Sequence, residues 1–526
     1  MPSVAASIPK SSGPELRGAV RRIQPWSPFL VFLGTALSLW WAFGNRLILG
    51  TNDEGIYLTI GERILHGQRL YVDFFGYLSP GSFWLQALAM RLLGVTLAAG
   101  RMVVILDVAL ECALIYWLVS RYASRACAAL TWIMYLAFQT ADPSMLTAQH
   151  RWDSGALALG AIAICVAAQG AGRERWLAAS GLLMACAALA TPSVALVALT
   201  TLGWLAWPGA WPGDRRRRAA WYLVGLASGA TAAGIALWLD GILPAFVRQM
   251  QWLARNYTAV NVMHYGSIIG GYKALLAGGG GLELAVRACV VICVALPAVL
   301  PVVALAGGVV LWRRERSGIF IYLTACVVAL VVSTHPRSDV AHLEYVAALS
   351  YALAAIVIYR MLRPRPRFWI VMFLGVWGAV FAWQSWRAGE GRVLETPVGE
   401  VRASVAEAPE VTQLLAQVRP HAALFVYPYK PLLYFLTQGE NPTRYCYLQP
   451  GLTTGADADV ALSELKAHPP EWVLYMDLTQ AEFERVFPSG KAFDAHFPAL
   501  ENWIKANYRS RGGRPVSGYA LLHRAT

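Results

Sequence analysis

Apolar runs of membrane-crossing length, separated by short polar segments, set the pattern of this chain from residue 27 to residue 386. A helix needs about 20 apolar residues to cross a bilayer, and runs near 27–48, 101–120, 126–141, 154–170, 175–190, 192–208, 219–239, 286–311, 318–333, 341–359 and 368–386 predict about eleven spans. One stretch breaks the pattern. Between Thr51 and Gly94 the chain carries Asp53, Glu54, Glu62, Arg63, His66, Arg69 and Asp73, too many ionisable groups to face lipid. That stretch predicts two amphipathic helices lying along a membrane surface. The first starts at Thr51 or Asn52 as N-cap, with Ile56, Ile60 and Ile64 on one face; the second opens at Ser79 with Pro80 in the first helical position.

After residue 387 the periodicity changes. VTQLLAQV is followed by AALFVYP, VALSELKAH by EWVLYMD, and ALENWIKANY by GYALLHR, alternating helical and strand patterns that predict a small α/β domain over 388–526. Its first strand leads into no glycine-rich phosphate loop. The membrane half has no internal repeat of the kind found in transporters with inverted halves. The expected architecture is thus a cytoplasmic, disordered segment over 1–26, an α-helical polytopic membrane domain over 27–387 with an external loop at 49–100, and an external α/β domain.

Composition agrees and excludes a soluble protein, with 57% hydrophobic and 14% charged residues. The formal charge of +13 would point to nucleic acid in a soluble chain, but here the basic residues cluster between apolar runs. With the N-terminus in the cytoplasm, Arg121/Arg125, Arg173/Arg175, Arg215–Arg218, Arg313/Arg314/Arg316 and Arg360/Arg363/Arg365/Arg367 all fall on the cytoplasmic side. They do so only if the helix at 80–93 does not cross. The segments 49–100, 141–154, 240–283, 333–345 and the tail then lie outside. Seven of the eight cysteines sit in apolar runs, and only Cys446 in a polar one, so no disulfide framework or zinc pattern arises.

Candidate chemistry gathers in the outer segments. Asp53 and Glu54 follow the first span; as first-turn acids they also serve a helix dipole without any function. His150, Arg151 and Asp153 open the fourth span, where Asp153 or Ser154 reads equally as an N-cap. The loop from His335 to His342 concentrates Arg337, Asp339 and two histidines. An arginine fork suits phosphate oxygens, and a plain Arg337–Asp339 ion pair is the competing reading. Arg255, Tyr257 and His264 in the long loop suit either an acceptor cleft or an aromatic interface belt. Near mid-membrane only Asp107 and Glu111 offer charges for a transporter.

Asp53-Glu54, then Tyr71, Asp73 and Phe74, the Pro80-opened helix ending in Arg91–Gly94, and Arg101 at the head of the second span together resemble the GT-C superfamily of membrane glycosyltransferases. The similarity is to the protein O-mannosyltransferases, the lipid A aminoarabinose transferase and the bacterial Rgt-type group. The resemblance implies inverting transfer of a hexosyl or pentosyl group from a polyprenyl-phosphate donor to a glycolipid, polysaccharide or protein acceptor at the external face of a bacterial inner membrane. It implies Asp53 as the base with Glu54 beside it and an acceptor-facing or metal-facing role for Asp153; the residues of the 335–342 loop themselves make Arg337, with His342 and His335, the donor-phosphate candidates. Tyr71, Asp73, His150, Arg151, Arg255, Tyr257 and His264 are acceptor-side candidates. A divalent metal held by Asp53, Glu54 and Asp153 is left open, as are a flippase of lipid-linked sugars and a non-catalytic assembly protein.

Overall fold

The computed structural model describes residues 26–50, 53–140, 142–169, 173–208, 214–267, 280–362, 390–510, 512 and 515–525. The expected disordered N-terminus, the Thr51/Asn52 cap and the expected span at 368–386 lie outside the described residues.

The membrane half is a helical bundle: α1 (Trp26–Phe43), α4 (Leu97–Tyr122), α5 (Arg125–Gln139), α6 (His150–Ala167), α7 (Trp176–Ala190), α8 (Ala195–Ala206), α9 (Arg215–Leu239), α11 (Gly281–Glu315), α12 (Gly318–Ser333) and α14 (Ala348–Met361). Among the described residues four helices are long and apolar enough to cross a membrane, at Trp26–Phe43, Leu97–Tyr122, Arg215–Leu239 and Ala295–Glu315; shorter apolar helices stand between them. Capping residues mark several turns, as where the Ser124 and Thr96 side chains accept from Cys127 N and Ala99 N. Small residues let backbones meet where α7 crosses α9. A Cβ on Gly225 would stand 1.8 Å from the Ala178 carbonyl oxygen, and one on Gly181 2.1 Å from that of Tyr222.

Arginine clusters from separate loops share one end of the bundle. Arg217 pairs with Glu174 at 3.2 Å, while Arg360 reaches Glu315 at 2.6 Å and donates to the Tyr122 carbonyl at 2.7 Å. The candidate segments gather at the opposite end.

There, α2 (Asp53–Leu65), α3 (Gly81–Leu93), α10 (Leu243–Asn261) and the short α13 (Val340–Glu344) precede or join the spanning helices. Neither α2 nor α3 is a free surface helix. Every residue of α2 from Glu54 to Gly61 is buried, because the C-terminal domain covers the face that the sequence assigned to solvent. The second helix begins at Gly81 with Pro80 as its cap, one residue later than the Ser79 cap and Pro80 start expected. In α6 the cap is Gln149, so Asp153 lies in the first turn and neither it nor Ser154 is the N-cap. The segment 341–347, expected inside a span, is instead α13 and its exit, and the apolar helix α14 starts at Ala348.

The C-terminal domain begins with a hairpin, β1 (Arg392–Thr396) and β2 (Gly399–Ala403), that binds the chain leaving α1: Leu47 N donates to Arg402 O at 2.9 Å and Arg402 N to Asn45 O at 2.8 Å. Its main sheet runs in the order β3 (Leu424–Tyr427), β4 (Trp472–Tyr475), β6 (Ala520–Arg524), β5 (Tyr508–Ser510), with β3 and β4 parallel and the other pairs antiparallel. Period-two burial gives it two faces. Leu424, Val426, Trp472 and Leu474 join a core shared with α2 and α3, while Phe425, Tyr427, Val473 and Tyr475 pack under α17 (Gly455–Ala467) and α19 (Pro498–Asn507). Helix α15 (Glu407–Gln417) and the short α16 (Leu432–Thr437) and α18 (Gln480–Val486) complete the domain. Helix α16 lies on α2 so closely that a Cβ on Gly55 would stand 2.0 Å from Leu432 N, and Thr59 Oγ1 donates to Pro431 O at 3.0 Å.

Candidate active site

A cavity of about 360 Å³ opens where the outer loops meet the C-terminal domain. Its floor comes from the membrane half, through Asp53 and Tyr57 of α2, His150 of α6, and Arg337, His342 and Tyr345 around α13. Tyr257 of α10 forms one wall, and the roof belongs to the C-terminal domain, which adds Tyr429, Gln449, Met476, Phe483, Phe487 and Tyr519. Residues far apart in sequence therefore share one space, as the hydrogen bond between Tyr429 and Asp53, 376 residues apart, illustrates.

Asp53 is exposed to this space as the first residue of α2, where the helix dipole favours its negative charge. Its two carboxylate oxygens are held separately: Oδ2 accepts from Gln149 Nε2 and Oδ1 from the Tyr429 hydroxyl, each at 3.2 Å. Gln149 is itself oriented by the Tyr57 hydroxyl, which donates to Oε1 at 2.8 Å. Burial, and next the charge of other groups including Asp53, hold the Tyr429 phenol well above its ordinary pKa, so it stays a donor.

A second polar group lining the cavity is built around Asp339. Its fully buried carboxylate accepts from Arg337 Nε at 3.2 Å and contacts His342 Nδ1 at 3.0 Å. Burial pushes the Asp339 carboxyl up, and His342 and then Arg337 outweigh this and leave it below the usual carboxylate range. Arg337 further donates through Nη1 to Asn261 Oδ1 and through Nη2 to Val486 O, both at 3.2 Å, and its guanidinium lies 5.2 Å from the Phe487 ring. The ion pair read as an alternative in the sequence is present, and it fixes Arg337 at the cavity wall. With Nδ1 bound to Asp339, Nε2 of His342 is the nitrogen left for a ligand. Arg151 sits behind this wall with Nη1 buried and unpartnered, and it acts with Arg337 on Tyr257, whose phenol burial raises while both guanidiniums oppose.

Other residues singled out in the sequence lie elsewhere. Glu54 points away from Asp53 into the bundle, where its carboxylate binds Arg101 in a fully buried ion pair, with Arg101 Nη2 to Glu54 Oε2 at 2.8 Å. Adjacent residues on a helix face different sides. Asp153 is buried in α6, near Asp107 and Ser82. Asp73 pairs with Arg69 at 3.0 Å at the surface, and Tyr71, with φ 67°, donates its hydroxyl to Leu78 O. His335 leads the loop into a cis bond at Pro336 and is not among the cavity-lining residues, while Arg255 and His264 are exposed. Asp53, Glu54 and Asp153 therefore do not converge as metal ligands. Among the described residues the group with ligand atoms within 4.8 Å of one another is Asp477, His496 and Glu501, in the C-terminal domain.

Gln149 and Tyr429 carry no sequence signal for their roles. Each is defined by its contact with Asp53 across the fold, not by any local pattern.

The profile of the dolichyl-phosphate-mannose-protein mannosyltransferase family matches residues 78–238. A comparison with curated proteins finds no match. Among solved structures, ArnT from Cupriavidus metallidurans bound to undecaprenyl phosphate superposes with a TM-score of 0.57 at 14% identity, covering 95% of this chain and 99% of that one. The archaeal oligosaccharyltransferase AglB from Archaeoglobus fulgidus, in complex with an inhibitory peptide and a dolichol-phosphate, gives 0.52 at 11% identity, covering 95% of this chain and 74% of that one. The arabinofuranosyltransferase AftD from Mycobacteria gives 0.50 at 13% identity, covering 96% of this chain and 40% of that one. This is therefore a helical membrane protein. Its fold is the GT-C fold seen in these structures, with a small C-terminal sheet region.

Proposed function

We propose that the protein is an inverting glycosyltransferase that moves a hexosyl or pentosyl group from a polyprenyl-phosphate donor to a glycan, lipid or protein acceptor at the external face of a bacterial inner membrane. The observation that carries this reading is one cavity with a fixed carboxylate on one side and a fixed guanidinium and imidazole on the other. The likeness to ArnT bound to undecaprenyl phosphate supports the donor class.

The chemistry follows from the placement. An acceptor hydroxyl beside Asp53 gives its proton to the carboxylate as its oxygen bonds to the anomeric carbon, and the bond from that carbon to the phosphate oxygen breaks. The leaving phosphate needs positive charge and not a proton, which Arg337 supplies as a fork, with the imidazole of His342 held beside it by Asp339. Arg151 adds charge from the second layer. Attack from the Asp53 side with departure toward Arg337 inverts the anomeric centre, so one carboxylate suffices where a glycosidase needs two. Tyr429 and Gln149 hold and aim the Asp53 carboxylate, and the aromatic roof excludes water that would hydrolyse the donor.

Glu54 holds α2 to α4 through Arg101 in this account. Asp107 and Glu111 are packed against Asp153 and the Tyr135 hydroxyl, which favours structure over transport. The test is the envelope of a strain lacking the gene, read by mass spectrometry. Loss of one sugar from a defined glycan, with the polyprenyl-phosphate precursor still made, is expected; an unchanged set of envelope glycans would remove the proposal.

A further inference from the structure

A second cavity, of about 530 Å³, lies on the outer side of the roof between α10 and the C-terminal domain. Its size falls in the range of about 300–1,000 Å³ typical of ligand clefts. Trp252, Phe493 and Phe497 supply aromatic lining, and Asn256, Asp459 and His496 supply polar groups. Asn256 uses Nδ2 on the Trp252 carbonyl at 2.8 Å, which leaves its Oδ1 for a ligand. Asp459 is exposed at the start of α17.

The groove adjoins the candidate active site. Pro450 lines both cavities. Trp252 also lines a third space of about 270 Å³ beside Leu452, and Leu452 in turn lines the cavity of Asp53. The loop 450–454 thus separates a chain of connected spaces leading outward from the proposed base.

We infer that this groove is a subsite for a neutral acceptor glycan, which places sugar units beyond the one whose hydroxyl meets Asp53. The inference rests on the glycosyltransferase reading and specifies its acceptor. An aromatic face together with amide and carboxylate acceptors is the set that recognises a sugar, which offers C–H faces to rings and hydroxyl donors to oxygens. A phosphorylated or lipid acceptor does not fit, since the lining holds Asp459 and Asp494 and neither Arg nor Lys. A peptide strand would seek an unpaired sheet edge, and this groove is lined by residues of α10, by helix starts and by loops.

The test applies full-length protein in detergent to an array of defined neutral and acidic oligosaccharides. The expected result is retention of one or more neutral oligosaccharides and rejection of uronate-containing ones. Asp459→Ala, at an exposed position, and Trp252→Phe should each weaken retention at least tenfold while thermal unfolding stays at the wild-type temperature. Retention confined to acidic glycans, no retention at all, or retention indifferent to both variants overturns the inference. Undecaprenyl-phosphate binding measured on the same samples separates the two readings. Lost donor binding with glycans retained counts against the transferase, whereas donor binding without glycans counts against the groove alone.

Discussion

At the residue scale the site depends on which of two neighbouring acids faces the cavity. Asp53 stands first in α2 and is open to it; Glu54, one position on, is turned into the bundle and neutralised by Arg101. Removing one partner of a buried ion pair typically costs about 3–5 kcal/mol because the other charge is stranded. Arg101→Met is therefore expected to lower the unfolding temperature and membrane yield sharply, and chemical denaturation of the purified variant measures it. Arg337→Lys keeps the charge but loses the fork that binds Asp339, Asn261 and Val486, so donor use should weaken more than stability. Normal turnover by Arg337→Ala at limiting polyprenyl-phosphate sugar would dismiss Arg337 as the phosphate ligand. Tyr429→Phe removes one hydrogen bond to a charged group, worth about 1.5–3 kcal/mol. It should lower kcat by roughly ten- to a hundredfold with little change in KM for the donor. An acidic pair after a first span is visible in sequence. Tyr429 is not, because its importance comes entirely from a contact across the fold, and the loop around Arg337 is visible only as a concentration of charge whose internal pairing the sequence leaves open.

At the scale of elements, α2 connects membrane bundle and roof. Its apolar periodicity reads as a surface helix because only one face carries the isoleucines. What the sequence conceals is that Gly55 lets α16 reach its other face. Gly55→Ala should therefore separate the domains: faster hydrogen exchange in 430–440 and loss of transfer are expected, and unchanged exchange there would show that the contact is not tight. Glu62, further along α2 in a space shared with His421, Gln438 and Glu440, gives a second reading of the same joint. Burial raises its pKa from 4.5 to about 7, against the opposing Gln438 and His421. The folded state thus binds a proton more tightly than the unfolded one, so stability falls as pH rises from about 4.5 to 7 and is level above that. Glu62→Gln should match the wild type at low pH and exceed it increasingly across this window; unfolding curves recorded at several pH values test it.

For the whole molecule, hydropathy makes most spanning helices legible, since apolar length is a local property. Their ends are less so, as at α14, where 341–347 is apolar yet turns away to build the cavity wall of His342 and Tyr345. The α/β alternation of the tail is also legible, but not its place over the site, which arises from side chains spread over 388–526. The bundle keeps the arginine clusters at one end and the candidate site at the other, so reporter fusions should place Arg217 in the cytoplasm and a fusion after Thr526 outside. An external signal at Arg217 would contradict that orientation. The central claim is that Asp53 takes the acceptor's proton. Asn has nearly the same shape and still binds Gln149 and Tyr429 but cannot act as a base. Purified Asp53→Asn should insert, unfold at the wild-type temperature and bind undecaprenyl phosphate, while transfer falls by roughly two to four orders of magnitude. Wild-type transfer by that variant would contradict the account and leave Asp53 as no more than a favourable start to α2.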